Sequence, residues 1–396
     1  MRRITASAAV LCLGLPIAIA SQDRQKPRFS ATTDYVTTEV IARDSRGNFV
    51  PDLTVKDFEL LEDGVRQTLS HFVLVQGGQV VKEAPPPAAV SEGLILPREV
   101  KQVPGRLFVI FVDDRHIQPH DSLATRGVLQ QVRDIMLHVG DLVTIVSTGP
   151  SSIEEQLSYD PGHERFDRAI GKVLASGMTP AEIIAASQTS QGPAGLRHDM
   201  HVAFKTAYDL LGQLGKIQNR RKAFIYVSSG YDLNPFVDAR YKALQDRYAK
   251  GTEDLKNPFE SGGQQFSEIE LIAELAELTH AAQRANTTFY AIDPRGLVAG
   301  PDIGSNLSVQ AHRDHLDKTV SSLKVLADET GGFCMCSTND FARGLRKVDE
   351  AMSDYYILGY SSSNNDRTRR RRTINVTIAR SGVTALGFRR EYYVTR

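Results

Sequence analysis

The pattern of apolar positions changes character twice along the chain. The first part alternates, so that "DYVTTEVIARDSRGNFVPDL" reads as a strand, a turn at Ser45-Arg46-Gly47-Asn48 and a second short strand. "LTVKDFELLEDGVRQTLSHFVLV" opens on a turn or short helix capped by Thr54 and continues as strand, Asp63-Gly64 turn, strand. Asp-Gly between alternating apolar residues is a strong hairpin signal. Residues 31–76 therefore predict one side of a small β-sandwich. "KEAPPPAAVSEGLILPREVKQVPG" interrupts the alternation with a Pro-rich connector.

From Arg106 the pattern becomes short continuous apolar runs separated by segments of helical period. The runs are "LFVIFVDD", "LVTIVSTG", "KAFIYVSSGYD", "TTFYAIDPRG" and "FCMCS", with a further strand at "EQLSYD". Helices are predicted from about Asp121 to His138 and over "HERFDRAIGKVLA", "HVAFKTAYDLLGQLGKI", "FSEIELIAELAELTHAAQRAN", "LDKTVSSLKVLADETGG" and "NDFARGLRKVDEAMSD", with 176–200 rich in loops. Buried runs alternating with amphipathic helices imply an α/β fold, a doubly wound, mostly parallel sheet with helices on both faces. The last helix feeds "YYILGYS", and the tail "RRTINVTIARSGVTALGFRREYYVT" returns to strand, turn at Ser381-Gly382, strand. That tail has no partner left in the α/β unit. Pairing it with the N-terminal strands makes the α/β unit an insertion in a β-sandwich. The expected division is 1–20, 21–82 (β-rich), 83–104 (linker), 105–362 (α/β) and 363–396 (C-terminal strands).

The opening "MRRITASAAVLCLGLPIAIASQDRQ" carries a basic pair, a short apolar core and an Ala18-Ile19-Ala20 cleavage signal. It reads as a secretory signal peptide, cut near Ala20, which implies an exported protein, periplasmic or extracellular. Cys12 is preceded by Leu11, where lipidation would want a small residue. No later run approaches a membrane span. Lys+Arg and Asp+Glu both number 47, which gives no long-range reason to expect nucleic acid. The run "RRRR" at 369–372 reads as a solvated hairpin edge rather than a phosphate patch. After the signal only Cys334 and Cys336 remain, on one face of a strand. Their Cα atoms would lie about 6.5–7 Å apart if fully extended, so they are either unpaired or joined in a strained local disulfide.

"VPDLTVKDFELLEDGVRQTLSHF", "GRLFVIFVDDRHI", "GDLVTIVSTG", "RKAFIYVSSGYD", "ANTTFYAIDPRGL", "LADETGGFCMCSTND" and "YYILGYS", in this order and spacing, resemble the von Willebrand factor A domain family. The nearer likeness is to its exported, VWFA-related acidobacterial members, and it covers nearly the whole chain after the signal. The resemblance implies a functional face at the strand C-termini, where in many relatives a divalent cation completes binding to an acidic partner group. It also implies a D-x-S-x-S loop, a threonine from a second loop and a later aspartate, all oxygen donors suited to Mg²⁺. Laid on this chain, Asp113 takes the first acidic position, but Arg115 and Ile117 fall on the two serines. Thr179 matches the threonine, and Ser229 stands where the later aspartate would be, with Asp232 close behind. Beginning the motif at Asp114 puts His116 on the first serine. A site of Asp113, Asp114, His116, Thr179 and Asp232 would be nitrogen-richer and suit Zn²⁺ or Mn²⁺ better than Mg²⁺. The adhesion-site motif is thus degenerate.

Other readings of the same residues stay open. Asp113 and Asp114 suffice to cap the following turn, or to pair Asp114 with Arg115 or Arg126. Ser228, Ser229, His116 and Asp113 converge at one sheet edge, yet "YVSSGYD" lacks the G-x-S-x-G elbow of a strained nucleophile. "IDPRG" places Asp293 and Arg295 at another strand end, as an Asp-Pro turn with an exposed arginine or as a ligand contact. His312 and His315 read as a solvated helix start. The expected function is a binding module, not an enzyme, that meets an unidentified protein partner through Arg115, Ser229, Asp293 and Arg295. The alternatives are a metal-assisted hydrolase on Asp113, Asp114 and His116, or a metal-free envelope assembly factor.

Overall fold

The computed structural model describes residues 35–84, 106–138, 140–158, 164–186, 194–217, 221–233, 259, 268–301, 305–364, 366, 371–386 and 391–393. The leader, most of the Pro-rich connector and Arg369 and Arg370 lie outside the described residues. The N-terminal part contributes β1 (Tyr35–Asp44), β2 (Phe58–Glu62), β3 (Val65–Arg66), β4 (Leu69–Gln76) and β5 (Gln79–Ala84). The β2–β3 turn holds Asp63 at φ 48° and Gly64 at φ 82°, both in the left-handed region that an Asp-Gly hairpin turn requires. Past Arg66 the chain leaves this hairpin, because β4 pairs with a different sheet.

The α/β part runs β6 (Leu107–Val112), α1 (Ser122–Met136), β7 (Leu142–Ser147), β8 (Glu154–Ser158), α2 (Glu164–Gly171), α3 (Pro180–Ala186) and α4 (Ala194–Leu214). It continues through β9 (Lys222–Val227), α5 (Glu268–Arg284), β10 (Thr287–Ile292), α6 (Val309–Asp328), β11 (Cys334–Met335) and α7 (Phe341–Ser353). The stretch 176–200, expected to be loop-rich, in fact holds α3 and the start of α4. The sheet order is β11-β10-β9-β6-β7-β8, parallel throughout except for the antiparallel edge strand β8. β6 is buried at every position. Phe108, Ile110 and Val112 pack in one cluster with α1, α2 and α7, while Leu107, Val109 and Phe111 pack in the other with α4, α5 and α6. A strand covered on both faces has no place for a polar residue until it ends.

β12 (Tyr355–Ser361), β13 (Arg371–Ile378), β14 (Val383–Leu386) and β15 (Glu391–Tyr393) complete the chain. Tyr355–Ser361, expected to close the α/β unit, instead inserts between β1 and β4 in an antiparallel sheet of order β14-β1-β12-β4-β5. β13 pairs with β2 in a second sheet, β15-β13-β2-β3. The C-terminal strands thus pair with N-terminal ones, over a core of Val40, Leu60, Phe72, Tyr356, Leu358 and Val376. Arg372 is no solvated edge residue: it is 1% exposed and faces Asp63 at 3.4 Å. Among the described residues no helix is long and apolar enough to cross a membrane.

The N-terminal end of β6 is fixed by Arg106, whose side chain is 6% exposed. Its guanidinium binds Asp141 at 3.0 and 2.7 Å, Asp349 at 2.5 Å, Ser353 Oγ at 2.8 Å and the Met136 carbonyl at 2.7 Å. One side chain therefore joins β6, the end of α1, the entry to β7 and the end of α7. Removing it leaves Asp141 buried without its cation, which costs about 3–5 kcal/mol. Arg106→Ala is expected to lower unfolding free energy by that amount in urea titration; a loss under about 1 kcal/mol would mean that the cluster behaves as a surface pair.

Candidate functional site

Parallel register places one residue from each strand at a common level where the sheet ends. Val112 is level with Ser147 and with Val227, Val227 with Ile292, and Ile292 with Met335. The next residues, Thr148, Asp113, Ser228, Asp293 and Cys336, therefore form a row along the C-terminal edge. Asp113 lies in this row between Thr148 and Ser228, wholly buried. Its Oδ1 faces His116 Nδ1 at 2.9 Å and accepts from Thr148 Oγ1 at 3.1 Å. Its Oδ2 accepts from Ser228 Oγ at 3.0 Å and from Tyr231 OH at 2.6 Å. The Tyr231 hydroxyl is also hydrogen-bonded to that of Tyr226.

Burial alone would raise the Asp113 carboxyl. The electrostatic pull of His116 and hydrogen bonds from His116, Tyr231 and Ser228 outweigh it and hold the group below the usual carboxylate range. The Tyr226 and Tyr231 phenols are pushed far up, by burial first and by the Asp113 charge second. The loop that presents Tyr231 turns at Gly230, with φ +81° and a missing Cβ that would lie 2.1 Å from the Thr319 carbonyl oxygen. No other residue fits there.

Asp114 points elsewhere. Its Oδ2 accepts from the Ser151 amide at 2.9 Å and its Oδ1 from Thr148 Oγ1 at 3.3 Å. Burial raises its carboxyl, with Asp113 adding to the effect against the Ser151 and Thr148 bonds. It pairs with neither arginine considered from sequence. Arg115 reaches the Thr148 carbonyl at 3.1 Å and Asp199 at 2.9 Å, and Arg126 binds the Val173 carbonyl.

The other residues assigned to a cation do not join this centre. Thr179 forms a capping box with Glu182, accepting from the Glu182 amide while donating to its carboxylate at 2.8 Å. Asp232 lies 3.4 Å from His315 Nδ1 and 3.1 Å from Lys318 Nζ. Burial would raise its carboxyl, but these two partners bring it below its ordinary value. Among the described residues no three His, Cys, Asp or Glu side chains converge as a metal-ligand set. Both Asp113 oxygens are filled by protein donors, and Arg115 and Ile117 supply no oxygen where serines would. This donor set does not fit an octahedral Mg²⁺ or Mn²⁺, nor a tetrahedral Zn²⁺.

Ser229, Arg295, His116 and Gln118 line a recess beside Asp113. Arg295 is not the exposed turn arginine of the sequence reading. It is 5% exposed, holds Asp293 through two bonds of 2.9 and 2.7 Å, and donates to the Ser229 carbonyl at 2.7 Å. Asp293 is itself buried, so of this pair only Arg295 reaches the recess. His312 and His315 are likewise buried, not solvated. Cys334 and Cys336 form a disulfide, with Cα atoms 5.3 Å apart. The strand ends at Met335, so the pair is not fully extended, which brings the Cα atoms closer than expected.

Thr148, Tyr231 and Gln118 escaped the sequence reading. The first had a usable signal: "LVTIVSTG" is the neighbouring parallel strand, and its end is level with Asp113. Tyr231 and Gln118 come from loops whose paths no periodicity encodes.

No family model and no curated protein matches the chain. Among solved structures, it matches the vWF domain of the type V pili tip protein Mfa5 from Porphyromonas gingivalis at 12% identity, over 63% of this chain and 95% of that one, with a TM-score of 0.32. It also matches an aerotolerance-related membrane protein from Bacteroides fragilis, carrying multiple mutations to serines, at 10% identity, over 63% and 96%, TM-score 0.29. A third match is manganese-loaded TRAP protein from Plasmodium vivax at 10% identity, over 74% and 95%, TM-score 0.30. At such values the architecture of this chain rests on its own sheet order.

The two adjacent carboxylates should respond oppositely to neutralisation. The depressed Asp113 stabilises the fold above its unfolded value of about 3.9, and that contribution is lost as pH falls through the lower folded value. Asp114, raised on folding, costs stability as pH rises through its folded value. Asp113→Asn is expected to lose about 3 kcal/mol at pH 7 and to flatten the acid limb of the stability profile. Asp114→Asn should match or exceed wild type at pH 7. Chemical denaturation across pH 2–8 reads both, and equal losses in the two variants would contradict the assignment.

Proposed function

We propose that the chain is an exported, von Willebrand factor A-like binding module that meets a protein partner through the loops after β6, β9 and β10, with a hydrogen-bonded Asp113 where relatives hold a cation. The observation that carries this reading is the gathering of Arg115, His116, Ser229, Asp232 and Arg295, from three strand ends, around one recess. Crevices at the carboxyl ends of strands are where open α/β sheets receive ligands. The Arg115 side chain in this lining is 42% exposed, and Lys318, 45% exposed, stands beside the lining residue Asp232, so each of the two cations has a carboxylate next to it. Such rim charges guide a partner and select against wrong ones. The leader-like N-terminus supports export, and the balanced charge argues against nucleic acid. The β-sandwich, tied to the α/β part by Arg221 on Glu39 at 3.3 Å and over the Tyr355 ring at 5.0 Å, serves as a pedestal.

Pull-down from the native cell envelope tests the reading. Capture of a defined partner is expected to survive chelator and to fall at least about tenfold, roughly 1.4 kcal/mol, when Arg115 and Lys318 are both changed to Glu. Capture that is lost with chelator, or unchanged by the charge reversal, would overturn it.

A further inference from the structure

Among the described residues, three polar atoms beside Asp113 have no hydrogen-bond partner: His116 Nε2, Gln118 Oε1 and Ser229 Oγ. Their residues are only 8%, 7% and 6% exposed, and all three line the recess. A buried polar atom left unsatisfied is costly, and one shared ligand removes that cost for all three. Size limits what the ligand can be. The recess offers about 20 Å³ of room for the centre of a water molecule, and about 10–15 Å³ of such room holds one. We infer that the recess is a binding site for a single water, held by His116 Nε2, Gln118 Oε1 and Ser229 Oγ. That water joins the loop after β6 to the loop after β9, whether or not a partner meets the face.

Hydrogen-bond capacity selects water over an ion of similar size. The Asp113 carboxylate only accepts, so in the neutral His116 ring Nδ1, 2.9 Å from it, carries the hydrogen and Nε2 presents a lone pair. Gln118 Oε1 also only accepts, whereas Ser229 Oγ can do either. The occupant must therefore give two hydrogens and meet a hydroxyl. Water does so with three bonds, the usual number when buried. Chloride would face two lone pairs. A hard cation wants about six oxygens, and the unpartnered atoms supply two and a nitrogen. An ammonium would bring a charge where every other charge has its match. Arg115 binds Asp199 at 2.9 Å, Arg295 binds Asp293 at 2.7 Å, and Asp232 lies 3.4 Å from His315 and 3.1 Å from Lys318. A neutral occupant leaves these pairs intact, while an added ion would be buried without a counter-charge.

The test is a crystal structure of the full chain after leader removal, joined to water-selective NMR on His116 Hδ2, the ring proton beside Nε2. One peak of water density is expected within about 2.6–3.2 Å of all three atoms, with a long-lived water cross-peak to Hδ2. Ser229→Ala combined with Gln118→Met leaves one partner of the three and should lose both signals, in a protein whose spectrum shows that it folds. An empty recess in the wild type, saturable His116 shifts on titration with chloride or ammonium salts, or a water peak unchanged in the double variant would overturn the assignment. Should the double variant not fold, the wild-type density and the salt titrations still decide it.

Discussion

A carboxylate shut away from water at the end of the central strand sets the terms for everything around it. A buried, unpaired charge is prohibitively costly, so Asp113 obliges its neighbours to satisfy it. They come from separate pieces of chain: His116 from the loop after β6, Thr148 from the end of β7, Ser228 and Tyr231 from the end of β9. Each bond fixes a loop that the sheet alone would leave free. Gly230 then lets the β9 loop turn tightly enough for Tyr231 to reach inward, against the backbone of α6. The shape of the strand-end face follows from how one anion is neutralised.

The same constraint separates this face from a cation site. A divalent ion needs lone pairs directed at a common point with little competition. Here the lone pairs of Asp113 are directed at protein hydrogens, and the nearest second carboxylate, Asp114, is committed to the Ser151 amide. His116 occupies Asp113 with one nitrogen and leaves the other toward the recess. The polar groups with spare capacity are thus displaced from the carboxylate to the cavity beside it.

Much of this was legible in the sequence. The five-residue apolar run ending in Asp113 announced a strand buried on both faces, and "VSTG" and "VSSG" announced its parallel neighbours. The Asp63-Gly64 hairpin and the pairing of C-terminal with N-terminal strands followed from alternation and from the shortage of other partners. What escaped was which sheet one strand joins and which side chains meet across packed elements. "YYILGYS" has the look of an α/β strand, but Tyr356 and Leu358 complete the sandwich core, and only packing decides between those homes. Arg372 looked like a solvated arginine because its partner Asp63 becomes visible only in three dimensions, whereas Arg295 has Asp293 two residues away and only its burial escapes the sequence. Thr148 at the end of β7 reaches Asp113, whereas Thr179 caps its own helix with Glu182. Register along the sheet distinguishes them.

Titration of Mg²⁺, Mn²⁺, Ca²⁺ and Zn²⁺ into chelator-treated protein, followed by calorimetry and by the His116 ring nitrogen resonances, tests most directly whether protein donors alone close the Asp113 site. The expected result is no saturable heat at this site and an unchanged hydrogen bond from His116 Nδ1 to Asp113. Stoichiometric uptake of any of these ions that perturbs the His116 ring and disappears in Asp113→Ala would contradict it.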